Sequence, residues 1–263
     1  MVLIKDGIVK KECNFDIYKL YNYLYSRNFN YLVDIVNYER NEVSFKYEED
    51  YSLDTNQKYN DLIKLVGLLH SKTSYNKEVS KDKYKEIYSL LKNNIDAINN
   101  YYNMMFDSII NVEDYSPSEY IFLNNYYVID SAIKYCIDKL DEWNLDVIDK
   151  DKQRVSLVHN NLRLDHYIKN NNEYLISFDK YIIDSPVIDL YKFYVKEWKN
   201  INFKELINEY NDISKLGKDE ELLLYILICM PYKINFNNKE IDNIIMIRDL
   251  IDYLVKGFNV IKE

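Results

Sequence analysis

Apolar positions change their spacing along the chain, and the change divides it. The first twelve residues, MVLIKDGIVKKE, set short apolar runs on either side of Asp6-Gly7, a pair that favours a two-residue hairpin turn. Two short strands are predicted there. Phe15, Ile17, Tyr18, Leu20, Tyr21 and Leu24 then recur at helical spacing, which suits an amphipathic helix packed on that sheet. Val43, Phe45 and Tyr47 alternate with polar neighbours, predicting a strand over 42–47, with another over 31–38.

Helical periodicity dominates after residue 50. Leu62, Leu65, Val66 and Leu69 follow the i, i+3, i+4, i+7 pattern of one buried stripe. Residues 80–111 carry a second stripe through Tyr84, Ile87, Tyr88, Leu91 and Ile95, and 117–143 a further helix with Pro117 near its entry. Short strands are predicted at 156–158 and 174–177. Beyond Val187 the pattern is helical, broken near Gly217 and Pro231.

Composition narrows the function classes. A 263-residue chain with 48% hydrophobic residues can bury a large core, in one large domain or in two lobes. Its net charge of -9, with Lys and Arg scattered among Asp and Glu, argues against nucleic acid, whose phosphates need clustered cations. The longest apolar run, LLLYILICM at 222–230, is far short of the ~20 residues that span a bilayer, so no membrane insertion is expected. The opening MVLIKDGI has no hydrophobic signal segment, and Cys13, Cys136 and Cys229 lie far apart without zinc spacing. Reduced thiols and a cytoplasmic protein are expected. There are only 4 glycines, Gly7, Gly67, Gly217 and Gly257, each far from the next. Glycine-rich phosphate loops need several within a few residues, so Walker, Rossmann and kinase glycine loops are all excluded.

The most unusual segment is HNNLRLDHYIKNNNEYLISFDKYIIDSPVIDLYKFY, beginning at His159. It resembles the signature region of the aminoglycoside phosphotransferase and choline kinase family, of protein-kinase-like fold, which includes kinase-like proteins of bacterial spore coats. That family shows H-G-D-x-x-x-x-N, a short hairpin, a D-[FW]-[DE] element and D-P-x-x-D-L. His159 falls on its histidine, Asn160-Asn161 on its Gly-Asp, and His166 on its Asn. Ser177-Phe178-Asp179 falls on D-[FW]-[DE], and Ser185-Pro186 with Asp189-Leu190 on the last element. The likeness is strong over 155–195 and looser elsewhere. LIKLVGLLHSK at 62–72 resembles a family helix ending in Leu-His. The N-terminal hairpin and helix resemble the third strand and following helix of a kinase N-lobe, with the glycine-rich loop missing.

The resemblance implies an altered chemistry. Phosphoryl transfer is catalysed by positioning and charge neutralisation. The carboxylate that handles the acceptor's proton would sit at Asn161, and an amide cannot take a proton; general base catalysis is worth roughly 10²- to 10⁴-fold. The magnesium ligands would sit at His166 and Ser177, an imidazole and an uncharged hydroxyl, whereas magnesium prefers charged oxygens. His159 and Asp189 belong to the scaffold that holds the loop. Lys10, or its neighbour Lys11, takes the place of the phosphate-anchoring lysine. Asp165 and Asp179 are displaced carboxylates that would have to hold magnesium if the protein were active.

The expectation is an α+β, two-lobed kinase-like protein with a reduced N-lobe over 1–50 and a mainly helical C-lobe over 51–263. It would be a pseudokinase with a binding or scaffold role toward a small ligand or protein partner, with no cofactor. A spore-coat role would follow by analogy alone. The alternative is an atypical phosphotransferase that uses ATP and Mg2+ on a hydroxylated or cationic metabolite.

Overall fold

A computed structural model describes residues 2–39, 42–51, 54–237 and 239–262. At the start, β1 (Val2–Lys5) and β2 (Ile8–Glu12) form an antiparallel hairpin. Asp6 and Gly7 both take positive φ, 53° and 74°, the turn geometry that matches strand twist. Helix α1 (Ile17–Ser26) follows, capped by Asp16, whose carboxylate accepts the Lys19 N–H at 3.0 Å. Then come β3 (Ile35–Glu39) and β4 (Glu42–Lys46), giving a four-stranded sheet in the order β1-β2-β4-β3. The strand predicted over 31–38 starts later than its hydrophobic pattern. The Tyr31 carbonyl instead accepts from Leu175 N–H at 2.9 Å, so the backbone there leaves the ladder.

The chain continues through α2 (Thr55–Thr73), β5 (Tyr75–Glu78), α3 (Lys81–Ile110), α4 (Pro117–Val147) and β6 (Lys152–Val158). Two small strands, β7 (Tyr167–Lys169) and β8 (Glu173–Leu175), make a hairpin, and β9 (Ile182–Asp184) returns to pair with β6. Helices α5 (Val187–Glu197), α6 (Phe203–Ile213), α7 (Lys218–Cys229) and α8 (Glu240–Ile261) complete it. The predicted strand over 174–177 ends early because Ser177 turns left-handed, at φ 66°.

The chain forms two compact units. The first comprises Met1–Lys77, Arg154–Glu197 and Ile201–Lys215. Within it Tyr21 of α1 packs on Phe45 of the sheet, ring centroids 6.4 Å apart. Helices α2 and α6 close on one another at Gly67, where an added Cβ would lie 3.4 Å from Ile213 Cβ. Leu62, Ile63, Val66 and Leu69 are buried along α2, the stripe that the sequence spacing marks. The second unit comprises Glu78–Gln153, Trp198–Asn200 and Leu216–Glu263. Its core is α4 against α3, α7 and α8, with Ile129, Cys136, Leu140 and Trp143 buried. Helix α4 starts at Pro117 with a full capping box: the Ser116 backbone N–H donates to Glu119 at 2.8 Å, and its hydroxyl accepts from the Glu119 N–H. All three cysteines are free and buried. Among the described residues no helix is long and apolar enough to cross a membrane.

Candidate functional site

The segment from His159 to Asp189 is held from below by one buried carboxylate. Asp189, on the first turn of α5, is fully buried and accepts three hydrogen bonds. The His159 N–H donates to its Oδ2 at 2.7 Å, and the Asn160 N–H to its Oδ1 at 2.6 Å. The third donor is His70 of α2, whose Nε2–H reaches Oδ2 at 3.1 Å while Nδ1 contacts the Tyr210 hydroxyl of α6 at 2.9 Å. Three segments, α5, the turn and α2, thus meet on one side chain, and no oxygen of the buried carboxylate is left unpaired. The turn it anchors is tight: Asn160 has φ 64°, a left-handed conformation that Gly and Asn tolerate better than other residues.

A pair of neutral imidazoles lines the inside of the loop. The fully buried His159 donates Nε2–H to the Ile176 carbonyl at 2.8 Å, and burial pushes its pKa down. His166 stacks at 5.3 Å from it, and burial, with the neighbouring ring, lowers its pKa to about 4. Each ring leaves a buried Nδ1 without a partner. An uncharged imidazole is a poor ligand for a hard cation such as magnesium.

Above the loop lies a cavity of about 620 Å³ between the four-stranded sheet and residues 161–179. Its walls are largely apolar, from Val9, Val43, Phe45, Ile168, Ile176 and Phe178 among others. Asn161, Asp165, His166, Ser177 and Asp179 all line it, so the structure brings together the loop positions singled out by spacing. Each charged one is already engaged. Lys11 on β2 forms an ion pair with Asp179 and lies 3.5 Å from the Ser177 hydroxyl. Asp165 accepts from Arg163 Nε at 3.1 Å. Asn161 Oδ1 accepts from Lys196 Nζ of α5 at 2.9 Å.

Lys10 is the residue the structure moves. Alternation along β2 turns it away from the cavity, where its ammonium pairs with Glu42 at 3.1 Å; its neighbour Lys11 faces the cavity instead. Helix α1, with the sequence IYKLYNYLYS, has no acidic residue to meet Lys11. Asp165 and Asp179 share the cavity wall, yet among the described residues no three His, Cys, Asp or Glu side chains are grouped closely enough to hold a metal ion. Spacing alone does not pick out Lys192 and Lys196, whose side chains reach Asn160 and Asn161 from more than thirty residues away.

No protein-family model matches the chain, and no curated protein matches it in sequence. Solved structures do match. An aminoglycoside phosphotransferase from Alicyclobacillus acidocaldarius aligns with TM-score 0.68 and 7% identity, covering 99% of this chain and 91% of its own. An AMP-bound spectinomycin phosphotransferase aligns with TM-score 0.51 and 12% identity, covering 95% of this chain and 87% of its own. A choline kinase from Streptococcus pneumoniae covers 98% of this chain and 86% of its own at 13% identity, with TM-score 0.47, too loose to carry weight. The chain has the α+β, protein-kinase-like fold of the first two phosphotransferases.

Proposed function

We propose that this kinase-like chain is catalytically degenerate and uses its cavity to bind a ligand or partner, without transferring phosphoryl groups. One observation carries the reading: the position that aligns with the family's proton-handling carboxylate is Asn161, an amide whose oxygen is already bonded to Lys196. An amide next to an ammonium cannot accept a hydroxyl proton at neutral pH, which forfeits roughly 10²- to 10⁴-fold in rate. Two further features agree with it. Ser177 offers an uncharged oxygen where a magnesium ligand would be, and Lys11 is neutralised by Asp179 rather than left free for phosphates.

A second reading has one observation in its favour, the presence of both Asp165 and Asp179 on the cavity wall. Under it the chain is an atypical ATP- and Mg2+-dependent phosphotransferase, with those carboxylates in place of the usual ligands. Thermal unfolding with ATP, with and without magnesium, followed by a measurement of ATP consumption, separates the two. Degeneracy predicts no magnesium-dependent rise in Tm and no turnover. A rise of several degrees together with turnover that is lost in Asp179→Asn would establish the second. In the double variant Asn161→Asp/Ser177→Asp, degeneracy predicts a gain of magnesium-dependent nucleotide binding, because charged oxygens return to the cavity.

A further inference from the structure

The chain carries a net charge of -9, yet cations gather around the turn at Asn160-Asn161. Lys192 and Lys196 stand one helical turn apart on α5 and point at the turn. Lys192 Nζ donates to Asn160 Oδ1, and Lys196 Nζ donates to Asn161 Oδ1 and to the Leu162 carbonyl, at 2.9 and 3.2 Å. Lys180, whose backbone carbonyl accepts Asn160 Nδ2–H at 2.8 Å, also repels the charge of Lys196 through space. Arg163 follows in the same loop. The carboxylates nearby are committed elsewhere: Asp165 to Arg163, Asp179 to Lys11, and buried Asp189 to its three N–H donors. Among the described residues no carboxylate pairs with Lys180, Lys192 or Lys196. Their hydrogen bonds end on neutral amide and carbonyl oxygens, which satisfy donors but do not cancel charge.

Like charges held together without counter-charge raise the energy of the loop, and an anion seated among them lowers it. Lys196 has its pKa lowered chiefly by burial, then by Arg163, Lys180 and Lys192, with Asp189 opposing them. An Asn at 161, where the resemblance places an acid, leaves the turn without a carboxylate of its own. We propose that Lys180, Lys192 and Lys196 form a binding site for the oxyanion group of a small molecule, a phosphate ester or polycarboxylate, beside Asn160-Asn161. The inference deepens the binding role assigned to the degenerate loop and rests on that reading. It also gives the ligand a sign opposite to the one suggested by the net charge of the chain.

Calorimetric titration of the full chain with inorganic pyrophosphate, without magnesium, tests the site directly. Saturable binding is expected, falling with added salt and weakened about tenfold or more in Lys192→Gln/Lys196→Gln, since each exposed charge contact is worth roughly three- to fivefold. Lys180→Gln, at an exposed side chain, gives a smaller loss and guards against misfolding of the double variant. Lys10→Gln, whose lysine pairs with Glu42 away from the loop, leaves binding unchanged. Absence of binding by the unaltered chain, or equal binding by all variants, overturns the site. ATP turnover would overturn degeneracy and leave this titration to stand or fall by itself.

Discussion

The two faces of one loop obey different rules. On the buried face, Asp189 gathers His70, His159 N–H and Asn160 N–H, and both carboxylate oxygens have donors. On the open face, Asn161, His166 and Ser177 present an amide, a neutral ring and a hydroxyl to the cavity, and the carboxylates there are tied to Lys11 and Arg163. The buried face needs a full charge, because backbone donors taken out of water must be met or they cost free energy. The open face needs charge only if it must steady a phosphoryl group. Shape and phosphoryl chemistry would thus rest on different side chains, so one can change without the other.

The largest effect expected from breaking this division is on the buried face. Asp189→Asn keeps the shape but replaces one accepting oxygen with a donating NH2, set against N–H groups that already point inward. A loss of about 3 kcal/mol in unfolding free energy is expected, the scale for leaving one side of a buried charged network unpaired. Urea unfolding of the variant measures it. A loss below about 0.5 kcal/mol, the size of an ordinary surface substitution, would mean that the loop is not hung from this carboxylate.

A smaller effect comes from the imidazoles between the two faces. In the folded chain His166 titrates at about 4, against an ordinary value of 6.5, and His159 is shifted in the same direction, both chiefly by burial. The unfolded chain therefore takes up protons first. Stability is whole above pH 6.5 and drains away as the pH falls toward about 4. His166→Gln should flatten this part of the profile while the remainder, from carboxylates, stays. Parallel profiles for the two proteins between pH 7 and 4.5 would sink the assignment.

How much of this is legible in the sequence depends on distance along the chain. The Asp6-Gly7 turn, the α2 stripe and the Pro117 start of α4 are local, and local chemistry dictates them: turn residues with positive φ, apolar spacing, a capping box. Strand β5, with the sequence YNKE and every residue exposed, carries no alternation to read, and it exists only because a neighbouring strand supplies partners. At the site, the segment from His159 to Asp189 announces itself by spacing, but its partners do not. Lys11 meets Asp179 across 168 residues, and His70 meets Asp189 across 119. Choosing between Lys10 and Lys11 requires the register of β2 against β4, which a one-residue slip would reverse. The lysines around Asn160 look, in sequence, like the ordinary solvated face of α5. Only the fold shows that the acids needed to balance them are spent elsewhere.

The smallest effect joins the two faces. Asn161→Asp places a carboxylate where the amide oxygen now accepts from Lys196, 2.9 Å away. The new pair is exposed, so its gain in stability is at most about 1 kcal/mol and shrinks in salt. Its consequence for binding is larger than for folding. A negative charge at 161 compensates the lysine cluster from within, so pyrophosphate affinity should fall although no lysine has been touched. The opposite sign of these two changes separates a charge effect from damage to the loop, because a damaged loop would lose stability and affinity together. If stability rises slightly while pyrophosphate binding is unaltered, the anion is not held by the net charge around Asn160-Asn161, and the open face has some other use.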